Sequence, residues 1–215
     1  MDLEKIGAQL YTVREFTQKV PDIADTMEKI GEMGYPAVQL SGLRSIGAER
    51  LKEILDENDL EVAATHRGVK ELKENFEEIV KNHKLWNCEH IAVSYLPEEY
   101  RTEEGYYNFA EELTRLGRKF SDKGIELSYH NHSFEFEKFG EKTGFEILCE
   151  ETNPEYVNFE LDTYWVQHGG GDPAGWIEKL SGRTPLLHLK DMAMRRDDDT
   201  LSQAFAEVGE GNLNW

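Results

Sequence analysis

The residues of this chain best suited to chemistry close three apolar runs. His130 and His132 stand two apart in "LSYHNHSFEF", Asp162 closes "VNFELD", and His188 closes "PLLH". Imidazole nitrogens combined with a carboxylate oxygen are a common ligand shell for Zn2+, Mn2+, Fe2+ or Co2+, and Mg2+ is the remaining candidate ion. Taken singly, each residue has a plainer use. A histidine at a strand end more often makes an interior hydrogen bond, and Asp162 could cap the turn that follows it. Three such residues ending three successive runs favour one shared site.

Parity supplies companions. Side chains alternate across a strand, so His132 shares the face of His130, Glu160 that of Asp162, and Lys190 that of His188. Lys190 could pair with Glu160 or steady a hydroxyl or phosphate oxygen. By the same counting Gln9 faces with Tyr11, and Gln39 with Ser41, while His66 ends its own run. Gln9, Tyr11 and His66 are expected to line a pocket with His168 at its rim, although interior packing accounts for each equally well.

These residues need a scaffold that brings distant strand ends together. Apolar, β-branched runs recur as "IGAQLYTV", "AVQLSG", "LEVAATH", "HIAVSYL", "IELSYHNH", "VNFELDTYW" and "PLLHLKD". Between them lie segments of helical spacing such as "DIADTMEKIGEMG", where Ile23, Met27 and Ile30 stripe one face, and "VKELKENFEEIVKNH". Gly34 and Gly124 stand where a left-handed cap would end a helix, and Asp172-Pro173 reads as a helix start. Strand and helix alternating in this way predict a parallel sheet covered by helices. The turn after the first run, "LYTVREFTQKV", lacks the glycines of a dinucleotide-binding fold, and "GGGDP" lacks the lysine and hydroxyl of a phosphate loop. Nearly every run turns polar on one face at its C-terminal end, where a (β/α)8 TIM barrel assembles its site.

Composition limits the partners. Lys and Arg number 24 against 43 Asp and Glu, a formal charge of −19, which disfavours nucleic acid and anionic membranes. Cys88 and Cys149 are the two cysteines, expected as reduced thiols in a cytoplasmic protein. The start "MDLEKIGAQL" has no signal-peptide core, and no stretch of eighteen apolar residues occurs. Without a linker or composition break, residues 1–215 read as a single domain.

The motifs "YHNHSFEF", "ELDTYWVQHGGGDP", "HLKDMA" and "VGEGNLNW" resemble those of the xylose-isomerase-like TIM-barrel sugar phosphate isomerase/epimerase family, nearly from end to end. The superfamily also holds inosose dehydratases, dehydroshikimate dehydratases and an endonuclease branch, the last richer in metal-ligating histidines. The resemblance implies a divalent metal held by four side chains of the later strands. Three fall on His130, Asp162 and His188, many relatives having glutamate where His130 stands; the fourth is a glutamate ending an eighth strand. Seven strand candidates precede Trp215, so the expectation is a barrel truncated before that strand, with exposed edges that favour homo-oligomers. The implied activity is isomerisation or epimerisation of a keto-sugar or sugar phosphate through an enediolate, with His132 and Glu160 as the candidate bases. Its rivals are a dehydratase of the inosose type and a non-catalytic sugar-binding barrel.

Overall fold

A polar side chain cuts the first strand short. In the computed structural model, which describes residues 6–215, β1 covers only Gly7–Gln9. The Gln9 side chain then accepts the Tyr11 amide at 2.7 Å and starts a 3-10 helix over Leu10–Phe16. The expected single run "IGAQLYTV" is thus strand and then helix, and Tyr11 is not a strand neighbour of Gln9. The chain groups into two compact units, one of residues up to Ala92 with Phe120–Glu126, the other of Val93–Lys119 with Leu127–Trp215.

The first unit alternates strand and helix as its spacing predicts. After β1 come α1 (Val20–Glu32), β2 (Ala37–Leu40), α2 (Ala48–Glu57), β3 (Glu61–Arg67), α3 (Val69–Glu74), α4 (Phe76–Trp86) and the start of β4 (His90–Val93). β1 pairs parallel with β2, and β2 with β3, where the register shifts between Val38 and Gln39. Parallel pairing suits runs that are apolar on both faces, because helices must cover them. Ile23, Met27 and Ile30 of α1 pack with Val38 of β2 and Ile54 of α2. Full burial of each such side chain contributes about 1.5–3 kcal/mol. Gly34 follows α1 with φ +86°, the left-handed conformation that glycine adopts without a Cβ penalty. The long run after β3 divides at Asn75, whose φ/ψ of −115°/27° separates α3 from α4.

In the second unit, α5 (Glu103–Ser121) precedes β5 (Glu126–His130), followed by α6 (Gly144–Glu151), β6 (Val157–Asp162), α7 (Thr163–His168), α8 (Pro173–Lys179) and β7 (Leu186–His188). β5 pairs parallel with β6 and β6 with β7. A capping box starts α6, in which the Thr143 hydroxyl takes the Glu146 amide while the Glu146 carboxylate takes the Thr143 amide. Asp172 caps α8 with Pro173 in its first turn, as the sequence predicts. An antiparallel hairpin follows, β8 (Asp191–Asp197) with β9 (Thr200–Ala206), which the sequence reading did not anticipate. Its return is pinned by Asp191, whose fully buried carboxylate accepts the amides of Met192, Gly209, Gly211 and Leu213 and the Trp215 indole N–H. Those donors outweigh the effect of burial and hold the Asp191 carboxyl down at about 2. Among the described residues, no helix is long and apolar enough to cross a membrane.

Candidate metal centre

Register explains the gathering of polar groups in the second unit. His130, the last residue of β5, stands opposite Glu160 on β6, and Asp162, the last residue of β6, stands opposite His188 on β7. Directly paired residues of parallel strands project to the same side of the sheet. One Glu160 oxygen, Oε2, therefore lies 3.3 Å from His130 Nδ1 and 3.3 Å from His188 Nε2. The other nitrogen of His188, Nδ1, lies 3.6 Å from Asp162 Oδ2. The His130 and His188 rings are 4.6 Å apart, and Glu160 is 1% exposed.

His188 thus sits between two carboxylates. Burial works against its charge, but the Glu160 charge and hydrogen bonds to Asp162 and Glu160 outweigh that and raise it to about 9. Asp162 is fully buried, which alone would raise its carboxyl. The hydrogen bond with His188 and the charges of His130 and Lys190 bring it below the usual range instead. Its Oδ1 caps α7 by accepting the Trp165 amide at 3.0 Å, and its Oδ2 lies 3.2 Å from Lys190 Nζ. Capping, the plainer use considered for Asp162, is therefore present, and Lys190 makes its ion pair with Asp162.

The two companions assigned by parity are reached by another route. β5 stops at His130 and β7 at His188, so neither His132 nor Lys190 belongs to those strands. The turns after the strands bring both back. The His132 ring stands edge-on to His130 at 4.9 Å, is stacked on Phe134 at 5.5 Å and lies 5.3 Å from Trp165. Lys190 is held through its backbone, since the Thr163 hydroxyl accepts its amide at 3.0 Å and also lies 2.8 Å from its carbonyl oxygen. The Lys190 ammonium lies 4.8 Å from the Phe205 ring and 5.3 Å from Trp165. His168 ends α7 with its ring 5.6 Å from Tyr164.

Other predicted residues belong to the first unit. Gln9 is occupied with the Tyr11 amide, and Tyr11 is 54% exposed beneath the Arg14 guanidinium. His66, near the end of β3, has Nδ1 3.4 Å from the Ser41 hydroxyl. Three residues that sequence reasoning missed complete the second-unit site: Tyr129, Asn131 and Glu135. Asn131 Oδ1 accepts the Asp162 amide at 2.8 Å, and Glu135 is a fully buried carboxylate. The one signal for Glu135 was an acid set between the two phenylalanines of "FEF".

A divalent cation fits this donor set. His130, Glu160 and His188 each offer one ligand atom, and these atoms lie within 4.8 Å of one another. Two imidazoles and a carboxylate are ordinary company for Zn2+, Mn2+ or Fe2+. The grouping includes Glu160, whereas the motif resemblance implies Asp162 in that place.

Comparison with known proteins agrees with this architecture. Residues 27–215 match the family model of the xylose isomerase-like TIM barrel, and the chain belongs to that family. An inosose dehydratase of Geobacillus kaustophilus is 24% identical over 189 residues, covering 77% of this chain and 61% of the relative. One from Mesomycoplasma hyopneumoniae (strain J) is 31% identical over 110 residues, covering 50% of this chain and 36% of the relative. The chain therefore spans roughly a third to three fifths of the curated relatives it matches. A crystal structure of a sugar phosphate isomerase/epimerase from Parabacteroides distasonis superposes with a TM-score of 0.72 at 26% identity, covering 94% of this chain and 80% of that one.

Proposed function

We propose that the protein acts on a polyhydroxylated ketone, a keto-cyclitol or keto-sugar, by moving the proton on the carbon beside the carbonyl, with His130, Glu160 and His188 holding a divalent cation. The observation that carries this reading is Glu160 Oε2 lying 3.3 Å from an imidazole nitrogen of both His130 and His188 in a buried setting. When bound, the cation supplies Lewis-acid polarisation that acidifies such a carbon. Asp162 orients the His188 ring from behind through Nδ1, the usual arrangement of a carboxylate behind a ligating histidine. The motif resemblance would instead make Asp162 the ligand.

His132, beside His130, serves as the base that takes the carbon-bound proton. Lys190, fixed between Asp162 and the Trp165 and Phe205 rings, donates to the oxygen where negative charge develops. The Phe134 and Trp165 rings flank His132 and keep water from its face. His168, at the end of α7, contacts the substrate farther out. Dehydration follows if the proton leaves with the hydroxyl of the next carbon as water, and isomerisation follows if it returns to a neighbouring carbon. Likeness to curated inosose dehydratases favours the first outcome. The 26% identical isomerase/epimerase supports the second as the alternative.

The test is incubation of the metal-loaded protein in D2O with an inosose and with free and phosphorylated ketoses, followed by NMR. Loss of water from the inosose is expected, with solvent deuterium in a rearranged ketose as the signature of the alternative. Neither dehydration nor deuterium uptake in any of these compounds would defeat the proposal.

A further inference from the structure

Burying a carboxylate is costly unless hydrogen bonds or a paired charge satisfy it. Glu135 is 0% exposed, and that burial pushes its carboxyl up to about 7 against the hydrogen bonds it accepts. Its two oxygens take different donors. Oε1 accepts the Tyr129 hydroxyl, and Oε2 accepts the His132 backbone N–H at 2.8 Å. These donors lie immediately before and two residues after His130, so one side chain pins the chain on both sides of that imidazole. Between them, Asn131 Oδ1 accepts the Asp162 amide at 2.8 Å and ties the same turn to the end of β6.

We infer that Glu135 is a positioning residue of the metal centre: it clamps the turn from Tyr129 to His132 so that His130 meets Glu160 and His132 stands beside it, an inference that rests on the metal reading above. The clamp explains how two imidazoles stay together where β5 has already ended. A strand cannot hold His132, because the ladder stops at His130. Glu135 replaces the missing ladder bond by accepting the His132 amide, and its second oxygen refers that amide back to Tyr129, inside the strand. Groups behind a metal ligand of this kind are typically worth about 10–100-fold in metal affinity.

The experiment is titration of the full chain with Co2+ alone, read by its visible d–d absorption, beside thermal melts of each variant. Glu135→Ala is expected to weaken Co2+ binding about tenfold or more and to change the band positions well below its melting temperature. Glu135→Gln is expected to keep wild-type affinity and spectrum, because its carbonyl oxygen still accepts the His132 amide and its NH2 donates to the Tyr129 oxygen. A role confined to stability would lower the melting temperature of Glu135→Ala and leave the spectrum unchanged, and that result overturns the inference. If Glu135→Ala does not fold, Tyr129→Phe decides: a weakened, altered Co2+ spectrum supports the clamp, and an unchanged one overturns it. Wild-type protein that takes up no Co2+ overturns the metal reading as well, whereas wild-type uptake matched by Glu135→Ala overturns the clamp alone.

Discussion

His83 carries the sharpest prediction about stability. It is 1% exposed, with Nδ1 3.0 Å from the Cys88 carbonyl oxygen and Nε2 2.9 Å from the Thr65 hydroxyl. A carbonyl only accepts, so Nδ1 bears the proton and Nε2 receives the hydroxyl's; the neutral ring is satisfied at both nitrogens. Burial is the largest cause that lowers this imidazole from 6.5 to about 4, with the charges of Arg67 and His90 adding to it against the Cys88 hydrogen bond. Between those values the unfolded chain binds a proton that the folded one refuses. Stability therefore falls as pH drops from about 6.5 towards 4, at up to about 1.4 kcal/mol per pH unit from this one group. At pH 4.5 the accumulated loss is about 2–3 kcal/mol relative to pH 7.5. Urea denaturation at the two pH values, on wild type and His83→Gln, isolates the term, because the other titrating groups are common to both. The variant should start less stable at pH 7.5 yet lose about 2–3 kcal/mol less on acidification. Parallel losses in the two proteins would refute the reasoning.

Two further substitutions test local geometry. Asp162→Ala removes both the cap of α7 and the partner of Lys190, and should cost at least the ~0.5–2 kcal/mol of a lost cap in a chemical melt, while Asp162→Asn keeps the cap and costs less. A Cβ added at Gly144 would run into the buried Tyr106 ring, so Gly144→Ala should destabilise by about 1–3 kcal/mol in thermal denaturation despite its favourable helix propensity.

Much of the scaffold was legible because apolar runs and helical stripes obey simple periods. The stripe of Ile23, Met27 and Ile30 became the buried face of α1, and Asp172-Pro173 began α8. Parity worked on β6, where strand structure persists to Asp162 and keeps Glu160 on the same side. It failed where a strand stopped early, as at Gln9, His130 and His188. Composition alone does not announce those stops, since each depends on a side chain capturing backbone: Gln9 takes the Tyr11 amide, Glu135 the His132 amide and Thr163 the Lys190 amide. The hairpin of β8 and β9 escaped notice for a related reason. Its sequence "MRRDDDT" looks like solvated charge, yet Asp198 adopts a left-handed φ of 49° and lets the two strands turn. That Glu160, and not Asp162, lies against both His130 and His188 was likewise beyond periodicity, because the two carboxylates occupy one face and differ only in where along the strand they project.

Calorimetric titration of chelator-treated protein with Mn2+ and Zn2+ tests most directly whether Glu160 joins two histidines around one cation. One ion per chain is expected for the wild type. Binding should be lost in Glu160→Ala and weakened about 10–100-fold in Asp162→Asn, whose side chain acts behind His188. Wild-type protein that binds neither ion, or Glu160→Ala that binds as tightly as wild type, would contradict it.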